Sequence, residues 1–163
     1  MARIHVIERR QRIARPLDEV FPFYADAANL ERITPPWLGF EVTTPMPIEM
    51  RVGALIAYRL KLHGIPVRWR TRIEEWQPPH RFVDAQLSGP SSLWHHTHTF
   101  EADGPDATIL GDRVRYAIPF GRAGELARAL FVTHDLDSIF DYRRDAVAAS
   151  LGQGEVDPDQ AER

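Results

Sequence analysis

The 163-residue chain is the length of one domain and long enough to bury its own core. Hydrophobic residues make up 44% and charged residues 26%, the net charge is −3, and there is no cysteine. That balance excludes a disulfide scaffold, a cysteine nucleophile and a thiolate metal site, and it offers no basic field to nucleic acid.

The opening residues Met1 to Arg10 contain no apolar signal core, and no apolar run approaches the roughly 18 residues of a membrane span. A cytoplasmic protein with no nucleic-acid partner and no stable membrane insertion is the expectation. The sequence assigns no oligomeric state. Residues 1–151 read as a single domain. The polar, Gly/Pro/Asp-rich stretch 152–163 reads as a disordered tail.

In chain order, residues 4–14 alternate as a first strand. Pro16 suits a first helical turn, and Asp18 and Glu19 suit its positive dipole end. Leu17, Val20, Phe21 and Tyr24 then form one apolar helical face, with Pro22 expected to kink or shorten the helix. A second short helix fits Ala27 to Ile33, and Pro35-Pro36 end it. From Trp37 the period becomes two, predicting strands near 37–44, 54–63, 66–76, 80–87, 92–102 and 107–118. Turn residues separate them: Gly64, Pro78-Pro79, Gly89-Pro90 and Asp103-Gly104-Pro105. After Gly121 a helical stripe runs through Leu126, Leu130, Thr133, Leu136, Phe140, Val147 and Leu151. One long amphipathic helix against a large antiparallel sheet is an α+β architecture.

Alternation also sorts side chains onto faces. Val67, Trp69, Thr71 and Ile73 face the helix, joined across a turn placed at Gly64-Ile65 by Ile56, Tyr58, Leu60 and Leu62. Three further strands turn polar groups inward among aromatics: Phe82, Asp84, Gln86; Trp94, His96, His98, Phe100; and Asp112, Val114, Tyr116, Ile118. Hairpins centred near Pro90 and Pro105 set Asp84 opposite His96 and His98 opposite Asp112. Two directly opposed pairs are therefore expected, His98–Asp112 and His96–Asp84. Pairing makes buried charge tolerable. On the outer face, Arg59, Lys61, Arg68, Arg70 and Arg72 form a basic row with no interleaved aromatic, which reads as a solvated convex surface rather than an RNA platform.

These residues carry a resemblance. The run Ala25-Asp26-Ala27-Ala28-Asn29-Leu30, then Ile33-Thr34-Pro35-Pro36-Trp37, Trp69, Ile73, Trp76, Phe82, Asp84, Gln86, Gly89-Pro90, Trp94, His96, His98, Phe100, Asp112, Val114, Tyr116, Pro119 and Gly121 resembles the SRPBCC superfamily of START-type, polyketide-cyclase-like ligand-binding domains. The resemblance implies a helix-grip fold: a seven-stranded curved antiparallel sheet around a long C-terminal helix, two short helices after the first strand, and a hydrophobic cavity between. It implies no particular reaction.

The expected function is binding of a small hydrophobic ligand, lipid-, sterol- or polyketide-like, without a cofactor. Its expected lining is Tyr58, Trp69, Thr71, Phe82, Asp84, Gln86, Trp94, His96, His98, Phe100, Asp112, Val114, Tyr116, Leu136 and Phe140. The alternative is a cyclase or dehydratase for a polyketide-like carbonyl substrate, with His98 as base, Asp112 fixing its tautomer and Tyr116 as donor. His96-Thr97-His98 is an H-x-H on a strand. Its possible partners spread over three strands beside bulky aromatics, so no metal is expected.

Overall fold

A computed structural model describes residues 2–151; the expected tail at 152–163 lies outside them. The chain runs β1 (His5–Ile13), α1 (Leu17–Ala25), 3₁₀ turns at Ala27–Leu30 and Pro36–Leu38, and a two-residue β2 (Glu41–Val42). Then come β3 (Leu55–Leu62), β4 (Ile65–Gln77), β5 (Arg81–Ser88), β6 (Leu93–Ala102) and β7 (Thr108–Ala117). The C-terminal helix is α2 (Gly121–Ala127), a π-turn (Arg128–Val132) and α3 (Thr133–Leu151). The seven strands form one sheet in the order β1-β7-β6-β5-β4-β3-β2, with every neighbouring pair antiparallel. This is the helix-grip architecture. Among the described residues no helix is long and apolar enough to cross a membrane.

Several expectations need correction. The strand expected at 37–44 shrinks to two residues, because Pro36 opens a 3₁₀ turn that Gly39 closes in the left-handed region. The second short helix is likewise a single 3₁₀ turn. The β3–β4 turn is centred on His63-Gly64, both with positive φ (50° and 79°), a type I′ geometry suited to the twist of the strands. Leu62 therefore faces Ile65 and Arg59 faces Arg68. The inward set is unchanged, since the pairing moves by two residues.

The helical stripe holds from Leu136 through Phe140 to Val147, all buried, each such side chain contributing about 1.5–3 kcal/mol. It fails before that: Leu126 and Leu130 are exposed. The π-turn adds a residue to one turn and rotates the face upstream. Gly124 and Val132 take the inward positions instead.

Candidate functional site

A cavity of about 130 Å³ lies between the sheet and α3. Its sheet wall is built by the inward phase of four successive strands: Ile56 and Tyr58 (β3), Trp69, Thr71 and Ile73 (β4), Phe82 and Asp84 (β5), and Trp94, His96 and His98 (β6). Phe23 and Tyr24 from the end of α1 close one side, with Ala27, Asn29, Leu30 and Ile33 from the segment that follows. Asp26 caps that 3₁₀ turn by accepting the Ala28 N–H at 2.9 Å, and the Asn29 amide donates to the Phe23 carbonyl at 2.8 Å. These bonds fix the loop that forms the wall. Tyr58 stacks on Trp69, whose edge meets Trp94, giving a continuous aromatic panel.

The polar centre is a crossed quartet. The register is the expected one, His98 opposite Asp112 and His96 opposite Asp84. The short hydrogen bonds, however, run along the diagonals: His98 Nε2 to Asp84 Oδ2 at 2.7 Å and His96 Nε2 to Asp112 Oδ1 at 2.7 Å. The directly opposed contacts are longer, 3.4 Å for His98–Asp112 and 4.0 Å for His96–Asp84. The expected partners are thus exchanged. Diagonal neighbours come within reach of side chains this long, and the twist of the sheet brings one diagonal together. The imidazoles lie over one another between the two carboxylates.

Burial opposes ionisation at all four groups, and the balance differs at each. For His98, burial favours the neutral ring, but hydrogen bonding and charge from Asp112 and Asp84 outweigh it and raise the pKa. For His96, burial together with the charge of His98 prevails over its carboxylate partners, and the pKa falls. Burial pushes the Asp84 carboxyl up, but the His98 hydrogen bond and the charges of His96, His98 and Arg143 hold it below its usual range. Asp112 is held lower still, burial being overcome by bonds to His96 and His98. Of the two rings, His98 is the one that holds a proton more readily and His96 the one that gives it up, between two carboxylates that stay ionised. Burial and the charge of Asp112 raise the Tyr24 hydroxyl, and burial and Asp84 raise that of Tyr58, so both remain protonated donors.

Of the residues expected to line the cavity, Tyr58, Trp69, Thr71, Phe82, Asp84, Trp94, His96 and His98 do so. Seven do not. Gln86 turns to the β5–β6 loop, donating to the Ser91 carbonyl at 2.6 Å. Phe100 packs in the core against Phe21 and Tyr24. Val114, Tyr116, Leu136 and Phe140 form a separate apolar cluster nearer β1, because β7 lies two strands beyond β5 under the helix. Asp112 borders a smaller crevice of about 30 Å³ with Tyr24, Phe140 and Arg143. The tyrosines at the cavity are Tyr24 and Tyr58; Tyr116 stands beside His5 instead.

Sequence reasoning missed Tyr24, which it treated as core, and Arg143, which it did not weigh. A signal existed: the α3 stripe jumps seven residues from Phe140 to Val147, and the helical period puts Arg143 in that gap. It also placed the possible metal donors too far apart. One donor atom each from Asp84, His96 and His98 lies within 4.8 Å of the others. The Nε2 atoms of both rings are engaged in the crossed hydrogen bonds, so a metal here would compete with the Asp84 and Asp112 carboxylates for them.

Comparison with known proteins places the geometry in context. Residues 13–142 match the family described as polyketide cyclase / dehydrase and lipid transport. No curated protein matches the sequence. Among solved structures, the chain is similar to the Zhui aromatase/cyclase from Streptomyces sp. R1128, at TM-score 0.73 and 17% identity over 91% of this chain and 94% of that one. It is similar to a norcoclaurine synthase from Thalictrum flavum, at TM-score 0.66 and 14% identity over 93% and 99%. A START superfamily protein from Mycobacterium smegmatis aligns at TM-score 0.63 and 13% identity over 90% and 99%. At these identities the likeness establishes the fold alone.

Proposed function

Because the chain belongs to the polyketide cyclase / dehydrase and lipid-transport family, we propose that it binds one small, mostly apolar molecule in the cavity against Trp69 and Trp94, with a polar end at the Asp84–His98 pair. The observation that carries this reading is the wall itself: aromatic and aliphatic side chains surround a few polar groups, the usual anatomy of a small-molecule site. The volume narrows the class. An apolar cavity of about 150 Å³ engineered in another protein accommodates benzene, so 130 Å³ suits a single ring or a short chain. A sterol or multi-ring polyketide requires the wall at Phe23–Ile33 or α3 to move outward. The test is titration of single-ring and multi-ring aromatics, followed by tryptophan fluorescence and melting temperature. A ligand that binds only the native state raises the melting temperature by mass action. Absence of saturable binding across both size classes overturns the reading; native mass spectrometry of protein from its host then identifies any molecule that travels with it.

A second reading is acid–base catalysis on a carbonyl substrate, as in a cyclase or dehydratase. One observation favours it: His98 bonds Asp84 at 2.7 Å at the cavity wall, with the Tyr24 ring 6.4 Å away, and Asp112 and Asp84 raise its pKa against the effect of burial. In a dehydration the neutral His96 ring takes the proton from the carbon beside the carbonyl. His98 in its protonated form gives its proton to the departing hydroxyl, which leaves as water as the C–O bond breaks, and Tyr24 or Tyr58 donates a hydrogen bond to the carbonyl oxygen. Loss of turnover in His98→Asn, with ligand binding retained, separates this reading from simple carriage.

A further inference from the structure

Arg143 occupies a core-facing position of α3, in the stripe between Phe140 and Val147. Its helix neighbour Arg144 pairs with Asp145 at 3.0 Å and Arg9 pairs with Asp137 and Asp141. Among the described residues Arg143 forms no ion pair. Others in that condition, such as Arg68, Arg70 and Arg115, are exposed, whereas Arg143 is half-buried and its Nε is buried without a hydrogen-bond partner. Its guanidinium carbon lies 5.5 Å from the Phe140 ring centroid, which orients the fork without satisfying it. One more buried nitrogen on a cavity residue, Trp69 Nε1, also lacks a partner, whereas His98 Nδ1 faces the Asp112 carboxylate at 3.4 Å. Indole and guanidinium nitrogens only donate. The cavity wall therefore carries a surplus of N–H donors, and buried donors left unmade are costly. The missing element is an acceptor.

We propose that the ligand is a small apolar acid, aromatic or short-chain, whose carboxylate is held by Arg143 while its apolar body lies against Trp69. The planar fork of N–H donors matches the two oxygens of a carboxylate. The proposal rests on the reading of this cavity as a ligand site, and it names the ligand's charged end.

The experiment compares benzoate, benzamide and benzyl alcohol on the full-length protein, read by tryptophan fluorescence. Benzoate is expected to bind about tenfold or more tighter than benzamide, the difference a charge-assisted hydrogen bond supplies. Arg143→Met should erase that preference while benzyl alcohol affinity changes less than about twofold, and Arg143→Lys should restore part of it. A readout on the unaltered protein guards against misfolded variants: the Arg143 Nε–H resonance in ¹⁵N NMR should shift with benzoate and not with benzamide. Equal binding of benzoate and benzamide, or a preference that survives Arg143→Met, overturns the carboxylate assignment and leaves the cavity as a neutral-ligand site. Failure of all three probes to bind overturns it together with the ligand-site reading.

Discussion

The rings of His96 and His98 stack with centroids 3.8 Å apart and planes inclined by 27°. Two imidazolium ions at that separation repel strongly in a buried site, so one proton is shared out unequally. NMR titration of the imidazole resonances should show His98 releasing its proton above the ordinary value of 6.5 and His96 below it. Replacing His98 with Phe should raise the His96 pKa, because one source of its depression is the charge on His98. Two independent titrations near 6.5 would contradict the coupling.

Stability should follow pH with a maximum near 6.5. His98, raised on folding, contributes fully below that ordinary value, and the contribution fades as pH rises through the folded one. His96, lowered on folding, acts in the opposite sense, and stability falls as pH drops from 6.5 toward its folded value. The two carboxylates add a further loss once pH falls below their ordinary 3.8. Urea denaturation from pH 3 to 9 checks this; a monotonic rise from pH 5 to 9 would refute it.

Double-mutant cycles distinguish the diagonal from the opposed pairing. His98→Phe and Asp84→Leu should couple more strongly than His98→Phe and Asp112→Leu, because the first pair shares the 2.7 Å bond. Removing one partner of a buried ion pair costs roughly 3–5 kcal/mol; the 17% exposure of the Asp84 side chain puts this pair at the lower end. Equal coupling energies in the two cycles would show that the quartet acts as one unit rather than two bonds.

The β3–β4 turn supplies an independent test of register. Gly64→Ala places a side chain in the left-handed region and should cost about 1–2 kcal/mol. His63→Asn should be neutral or slightly stabilising, since Asn tolerates positive φ and the exposed His63–Asp135 pair contributes little. Denaturation midpoints report both. A neutral Gly64→Ala would exclude the type I′ turn.

Metal content gives the simplest check on the quartet. Dialysed protein should carry far less than one equivalent of zinc or iron, because the Nε2 atoms of His96 and His98 and one oxygen of each carboxylate are already in carboxylate–imidazole bonds. Stoichiometric metal whose removal lowers the melting temperature would make Asp84, His96 and His98 its ligands.

Much of this structure was legible as period. Alternation assigned the inner face of β3 to β7, and the short turns at Gly89-Pro90 and Gly104-Pro105 set the β5–β6 and β6–β7 registers to the residue. What alternation cannot carry is depth along the helix: Val114 and Tyr116 do face inward, yet α3 covers them with Leu136 and Phe140 and leaves no space there. Nor does it carry the sheet twist, which decides whether His98 bonds across or along the diagonal. Arg143 was hidden for another reason. A cation in an apolar stripe reads as a gap in the pattern, and only the assembled wall shows that the gap points into the cavity.

The placement of β1 has a consequence for how the protein comes to exist. Its ladder joins His5 to Tyr116 and Ile13 to Thr108, so the first strand made pairs only with the last. During synthesis β1 waits, unpaired, while about a hundred residues are added, and the loop it must then close is among the longest the chain offers. The local hairpins β3–β4, β5–β6 and β6–β7 can form as they emerge, but β1 has no partner until β7 is complete. The helix that roofs the cavity is made later still. A chain stalled before residue 108 therefore exposes both the β1 backbone and the apolar panel of Trp69 and Trp94, which makes the incomplete protein, rather than the finished one, the species most in need of a chaperone.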